Sequence, residues 1–180
     1  MLAPRAVRTV RHGSAEKHLP EALTLAANCP VFAFFDPFGL LWPLDEIASV
    51  MNRPALTEVL ITFQFAGLRR NAGKALTDSG SEHVPFLKSQ VTLRKKMDAS
   101  LGGEWWQDVW MSGSDDRNDQ IYNEYLHRLQ KAAGHPGYWS VPITDRWDGP
   151  TVYTMILLTK HREGIWHFHE ALWALGTTCR

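Results

Sequence analysis

The run VFAFF, Val31 to Phe35, has no polar residue and stops at Asp36-Pro37-Phe38-Gly39. A short apolar run bounded by turn-forming residues predicts a strand covered on both faces, as in a parallel sheet with helices above and below. A second run, TEVLITFQF (Thr57 to Phe65), is rich in β-branched and aromatic residues and predicts another buried strand. Between the two, Pro43 to Asn52 reads as a helix. Proline stands at an early position, acids fill the first turn, and Leu44, Ile47, Ala48 and Met51 recur at helical spacing. Strand, helix, strand in this order predicts a right-handed parallel crossover and an α/β fold.

The flanking segments are read in the same way. RAVRTV (Arg5 to Val10) alternates weakly, as a short strand does. A helix follows, with Ser14 as N-cap and Leu19, Leu23 and Ala26 on one face. Pro20 opens or kinks it, and Asn28 and Pro30 end it. From Ala66 to about Arg117 the pattern loosens. VPFLKSQVTLRKKM and GGEWWQDVWM predict short helices of an insertion at about 80–116. Trp105, Trp106 and Trp110 could stack on bases, but Trp106 and Trp110 share a helical face, which favours packing. Next comes an amphipathic helix carrying Ile121, Tyr125, Leu126 and Leu129, with Gly134 at its stop. YWSVPITD and TVYTMILLTKH predict two strands joined by RWDGP. GIWHFHEALWALG predicts a closing helix with Ile165, Phe168, Leu172 and Leu175 on one side.

Composition narrows the function classes. A chain of 180 residues fits one domain, 1–180. Lys plus Arg and Asp plus Glu both number 19, so no net field announces a nucleic-acid or membrane partner. Arg5, Arg8, Arg11 and Lys17 outnumber Glu16 near the start, as a basic patch or a solvated tail. Cys29 and Cys179 lack metal-ligand spacing and read as free thiols. No apolar run approaches the ~20 residues that span a bilayer, and the start lacks a secretory apolar centre. The expected location is cytoplasmic. His161, His167 and His169 lie near Glu163 and Glu170, but His167 and His169 are two apart and share no helical face, so no metal site is assigned.

Two segments carry candidate chemistry. In open α/β sheets, ligands bind outside the carboxyl ends of the strands, which is where Asp36 falls. Its carboxylate can accept a hydrogen bond from a substrate amino or hydroxyl group. The carbonyls beside Pro37 read as free acceptors, Phe38 offers a stacking face, and Gly39 permits close approach. Alternatively Asp36 caps the next helix and Pro37 only stops the strand. Arg69, Arg70 and Asn71 follow the second strand at the same end, as a substrate-binding group that meets phosphate or as a solvated loop.

FFDPFG followed by a Trp and an amphipathic helix, then TEVLITFQFAGLRRN, then VYTMILLTKHREGIWHFHEAL, together resemble the three-Cys-motif partner proteins. This bacterial family is itself similar to class I S-adenosylmethionine-dependent methyltransferases. The resemblance covers nearly all of this chain but only the later part of the family. It implies a partial, Rossmann-like sheet, mostly parallel with one antiparallel C-terminal strand, plus a small helical insertion. It places DPFG where amino-methyltransferases of DNA carry an acid-Pro-Pro-aromatic motif. Asp36, Pro37, Phe38 and Gly39 would then form the catalytic turn, with Asp36 orienting the acceptor and Phe38 stacking. The aromatic is one place early, Gly39 takes its position, and there is one proline.

The resemblance also implies S-adenosylmethionine as cofactor. Nothing like the family's glycine-rich turn precedes Asp36. VRTVRHGSAEKHL is similar to the third strand and its loop, which would put Ser14 or Ala15 on the adenine side. In the family's strand order, 3-2-1-4-5-7-6, loss of strand 1 leaves VFAFF as an unpaired, aggregation-prone edge. The expectation is a remnant or part of a methyltransferase-like enzyme acting on nucleic acid, truncated at its N-terminus and binding no cofactor alone. The alternatives are a non-catalytic protein working with a genomically paired three-Cys-motif partner, or an inactive fragment.

Overall fold

The computed structural model describes residues 9–37, 39–77, 84–146 and 148–178, with the backbone alone for 84–86 and 175–178. The helices are α1 (Ala15–Leu25), α2 (Leu44–Met51), α3 (Phe65–Leu76), α4 (Val84–Leu101), α5 (Trp106–Met111), α6 (Arg117–Ala132) and α7 (Arg162–Thr178). The strands are β1 (Val31–Phe35), β2 (Thr57–Gln64), β3 (Gly137–Thr144) and β4 (Thr151–Thr159). They form one mixed α/β sheet in the order β1-β2-β4-β3. β1 and β2 pair in parallel, as the strand-helix-strand pattern requires. β4 is antiparallel to both β2 and β3, so three strands run one way and β4 runs against them.

Period-two alternation divides the sheet into two faces. Phe35, Val59, Ile61, Phe63, Ile156 and Leu158 belong to one face and join the main core. Each helix facing them contributes an apolar stripe: Ile47, Val50 and Met51 from α2, Leu68 and Ala72 from α3, Met97 and Leu101 from α4, Ile121, Tyr125 and Leu129 from α6. Trp106 of α5 is fully buried there, as its shared face with Trp110 predicts. The other face is covered by α7, which packs on β3 and β4. A Cβ placed on Gly137 would lie 3.1 Å from Ile165 of α7, so the glycine lets the helix approach.

Four expectations need correction. β1 is not covered on both faces: Phe32 is 60% and Phe34 54% exposed. The reason is its position, because α7 lies over β3 and β4 and leaves the β1 side of that face bare. β1 is thus an edge strand among the described residues, and its edge has neither a charge nor a proline. The opposite edge, β3, carries Pro142, which cannot donate to another strand. Second, α4 is not a short helix but runs for 18 residues, ending where Gly102 adopts a positive φ of 74°. Third, α1 ends at Leu25, ahead of Asn28, with Pro20 inside it. Fourth, the short strand at Arg5 to Val10 lies mostly outside the described residues, and Thr9 and Val10 are not in a strand.

Candidate functional site

The β1–β2 register decides what Asp36 meets. Phe34 pairs with Leu60 and Phe35 with Ile61, so the next position on Asp36's side of the sheet is Thr62. The Thr62 hydroxyl donates to Asp36 Oδ1 at 2.6 Å, and Thr62 itself is buried. A carboxylate offers about four lone-pair sites, so Oδ2 keeps capacity for a substrate N–H or O–H. Asp36 is exposed at the carboxyl end of β1. It does not cap a helix, because α2 begins at Leu44 behind Pro43. That removes the capping half of the alternative reading; β1 does end at Phe35, just ahead of Asp36 and Pro37.

Side chains from three elements hold the loop that follows. Gln64, at the end of β2, donates to the Pro37 carbonyl at 3.2 Å. Asn71 of α3 donates to the Gly39 carbonyl at 2.8 Å. Ser100 of α4 donates to the Leu41 carbonyl at 2.6 Å. The Gly39 amide also donates to the Pro37 carbonyl at 3.0 Å. Both acceptor positions of that carbonyl are therefore filled, which corrects the expectation that it is free. Among the described residues, the Asp36 carboxylate keeps acceptor capacity open at the turn.

Two glycines make the turn possible. Gly39 has φ 93°, a conformation that side chains with a Cβ rarely adopt. A Cβ on Gly67 would come within 2.4 Å of the Gly39 carbonyl oxygen, so α3 can reach the turn only with glycine there. The Arg70 guanidinium lies over Gly39, with Nη2 3.1 Å from where its Cβ would be. The pocket beside the turn, lined by Pro37, Gly39, Gln64, Leu68 and Met97 among others, holds only about 10 Å³. That is room for one water. A ligand at the turn would lie over it, against Asp36 and Arg70, and not inside this pocket.

The structure brings Asp36, Pro37, Gly39, Arg70 and Asn71 together and separates Arg69 from them. Arg69 lines a different cleft with Tyr122 and Asp119. Phe38 lies outside the described residues. Ser14 and Ala15 lie at the start of α1; Ser14 is exposed and makes no side-chain cap. The groove between α1 and β1 is lined by Ala15, Arg11, His18 and apolar residues including Ala33 and Phe34. Among the described residues it has no carboxylate to accept ribose hydroxyls.

Sequence reading missed Thr62, Gln64 and Gly67. The signal for the first two was present: polar residues two apart at the end of an apolar strand share a face. Near the closing helix, His167 Nδ1 lies 3.4 Å from Glu170, and His169 meets the Trp139 ring edge-on. Among the described residues no helix is long and apolar enough to cross a membrane. No family model matches the chain, and neither a curated protein nor a solved structure matches it.

Proposed function

We propose that the chain is the acceptor-side part of a methyltransferase-like enzyme acting on an amino group of nucleic acid. The observation that carries this reading is the Asp36 carboxylate, held by Thr62 at the carboxyl rim of the sheet with acceptor capacity to spare. Methylating an exocyclic amino group requires the nitrogen lone pair to point at the methyl carbon. A carboxylate accepting one N–H fixes that direction, and once a bound base shields it from water it stabilises the positive charge developing on nitrogen. Arg70, over Gly39, supplies the positive charge for a flanking phosphate. Gln64, Asn71 and Ser100 keep the turn in place through its carbonyls.

The strand order supports the same reading. β1-β2-β4-β3, with β4 reversed, corresponds to the 4-5-7-6 portion of the class I order. On that correspondence the bare edge of β1 is where the remaining strands would pair. When bound, S-adenosylmethionine would supply an electrophilic methyl group. The described residues around Ser14 and Ala15 do not fit it, since their groove offers no carboxylate, so its binding calls for residues beyond these. A second reading, an interaction protein working with a paired three-Cys-motif partner, is favoured by the exposed Phe32, Phe34, Trp166 and Trp173.

Acceptor binding tests the proposal. Fluorescence anisotropy with labelled single-stranded DNA and RNA is expected to show saturable binding at low salt. Arg70→Ala should weaken it roughly tenfold, about 1.4 kcal/mol. Asp36→Ala should erase any preference for bases that carry an amino group. Binding indifferent to both substitutions would remove the turn from function.

A further inference from the structure

We propose that the cleft between α3, the start of α6 and the β3–β4 hairpin binds a neutral, hydroxyl-rich ring: a pentose or hexose, free or carried in a nucleoside. This goes beyond the Asp36 turn and needs no methyl transfer. β4 runs against β2, with Tyr153 opposite Gln64, so its first residues lie at the same rim as the carboxyl end of β2. There the space under the hairpin opens into a cleft of about 390 Å³. That is within the size range of small-molecule sites.

The lining sets the ligand chemistry. Phe65, Tyr122, Pro142 and Pro150 give flat apolar walls on which the C–H face of a ring can lie. Ser140, Thr151 and Thr154 contribute hydroxyls, which both donate and accept, as sugar hydroxyls do. Asp115 and Asp119 face one guanidinium, that of Arg69, so the charge of the lining is net negative. A phosphate or another polyanion is repelled, whereas hydroxyl and amino donors are accepted.

Two polar atoms lie beneath the surface of this cleft. Asn118 Oδ1 and the Tyr122 hydroxyl are shielded from solvent and close no hydrogen bond of normal geometry. The Tyr122 hydroxyl lies beside those of Ser140 and Thr154 without closing a bond of normal geometry to either. Burial also pushes its ionisation upward, so it remains a neutral donor and acceptor across the physiological range. Because both atoms are shielded, a ligand in the cleft meets the part-exposed Ser140 and Thr151 hydroxyls, with the Tyr122 hydroxyl behind that of Ser140.

Titration calorimetry on the full chain with ribose, glucose, adenosine and adenosine monophosphate tests the assignment. At least one of the three neutral compounds should bind saturably, and the arms identify whether the ring is taken free or as nucleoside. The monophosphate should bind no more tightly than adenosine. Ser140→Ala and Thr151→Val should each weaken binding roughly tenfold. Both positions are part-exposed, so the variants should fold as the parent does. The proposal is overturned if no neutral ring binds, if the monophosphate binds best, or if both cleft variants bind as the parent does.

Discussion

Gly67 and Gly73 stand in one helix, α3, and should respond to alanine in opposite directions. In a solvated helix, glycine to alanine stabilises by about 0.8–1 kcal/mol. At Gly73 a Cβ would meet nothing within 4 Å, so the full helix gain is expected there. At Gly67 the Cβ would lie 2.4 Å from the Gly39 carbonyl oxygen and 3.2 Å from its carbon. The obstacle is backbone, and Asn71 anchors that same carbonyl at 2.8 Å, so it cannot swing aside freely. Overpacking of this kind costs about 1–3 kcal/mol. After subtracting the helix gain, Gly67→Ala should be net destabilising, by up to about 2 kcal/mol. A domain of this size changes its melting temperature by about 2–4 °C per kcal/mol. Thermal unfolding followed by circular dichroism should therefore show Gly67→Ala melting lower, by up to about 8 °C, and Gly73→Ala melting higher. If both variants shift the same way, the close packing of α3 on the Asp36 turn is wrong.

Other consequences are measurable separately. The Tyr125 hydroxyl is fully buried without a partner, so Tyr125→Phe should stabilise the fold by about 1 kcal/mol in urea titrations; a loss of stability would mean that the hydroxyl has a partner. Glu46 carries a carboxyl pKa raised above 4.5, first by burial and then by the Glu16 charge. The folded state therefore binds this proton more tightly than the unfolded state does. Its contribution is fully present below the unfolded value and is lost as pH rises through the higher folded value. Glu46→Gln should thus gain stability over the parent at neutral pH and lose that advantage in acid; an advantage that does not change with pH would contradict this. β1 presents a neutral, apolar edge, so the purified chain should self-associate in light scattering, and Phe34→Lys should suppress this.

The order of elements was legible because it rests on long-range regularities: apolar runs, helical spacing, and turn residues between them. Asp36 at the end of β1 and the β3–β4 hairpin around RWDGP follow from such patterns. Burial of β1 was not legible. VFAFF reads the same whether helices cover both faces or one face waits for a neighbour, and the difference lies in where α7 docks. The length of α4 was obscured by its polar end. There Asp98 accepts the Trp106 indole N–H at 2.8 Å and Ser100 ties down Leu41, so these residues serve tertiary contacts within a continuing helix. The cleft under the hairpin was beyond sequence reasoning, since Asn118, Tyr122, Ser140 and Thr154 come from three elements that only the fold brings together.

The role proposed for Asp36 can be measured in the native organism, where the protein meets its own substrates. DNA and RNA from the parent strain and from one carrying Asp36→Ala would be digested and their methylated nucleosides quantified by mass spectrometry. The account predicts that one N-methylated nucleoside disappears in the variant while the protein accumulates normally. Identical methylation in the two strains would contradict it.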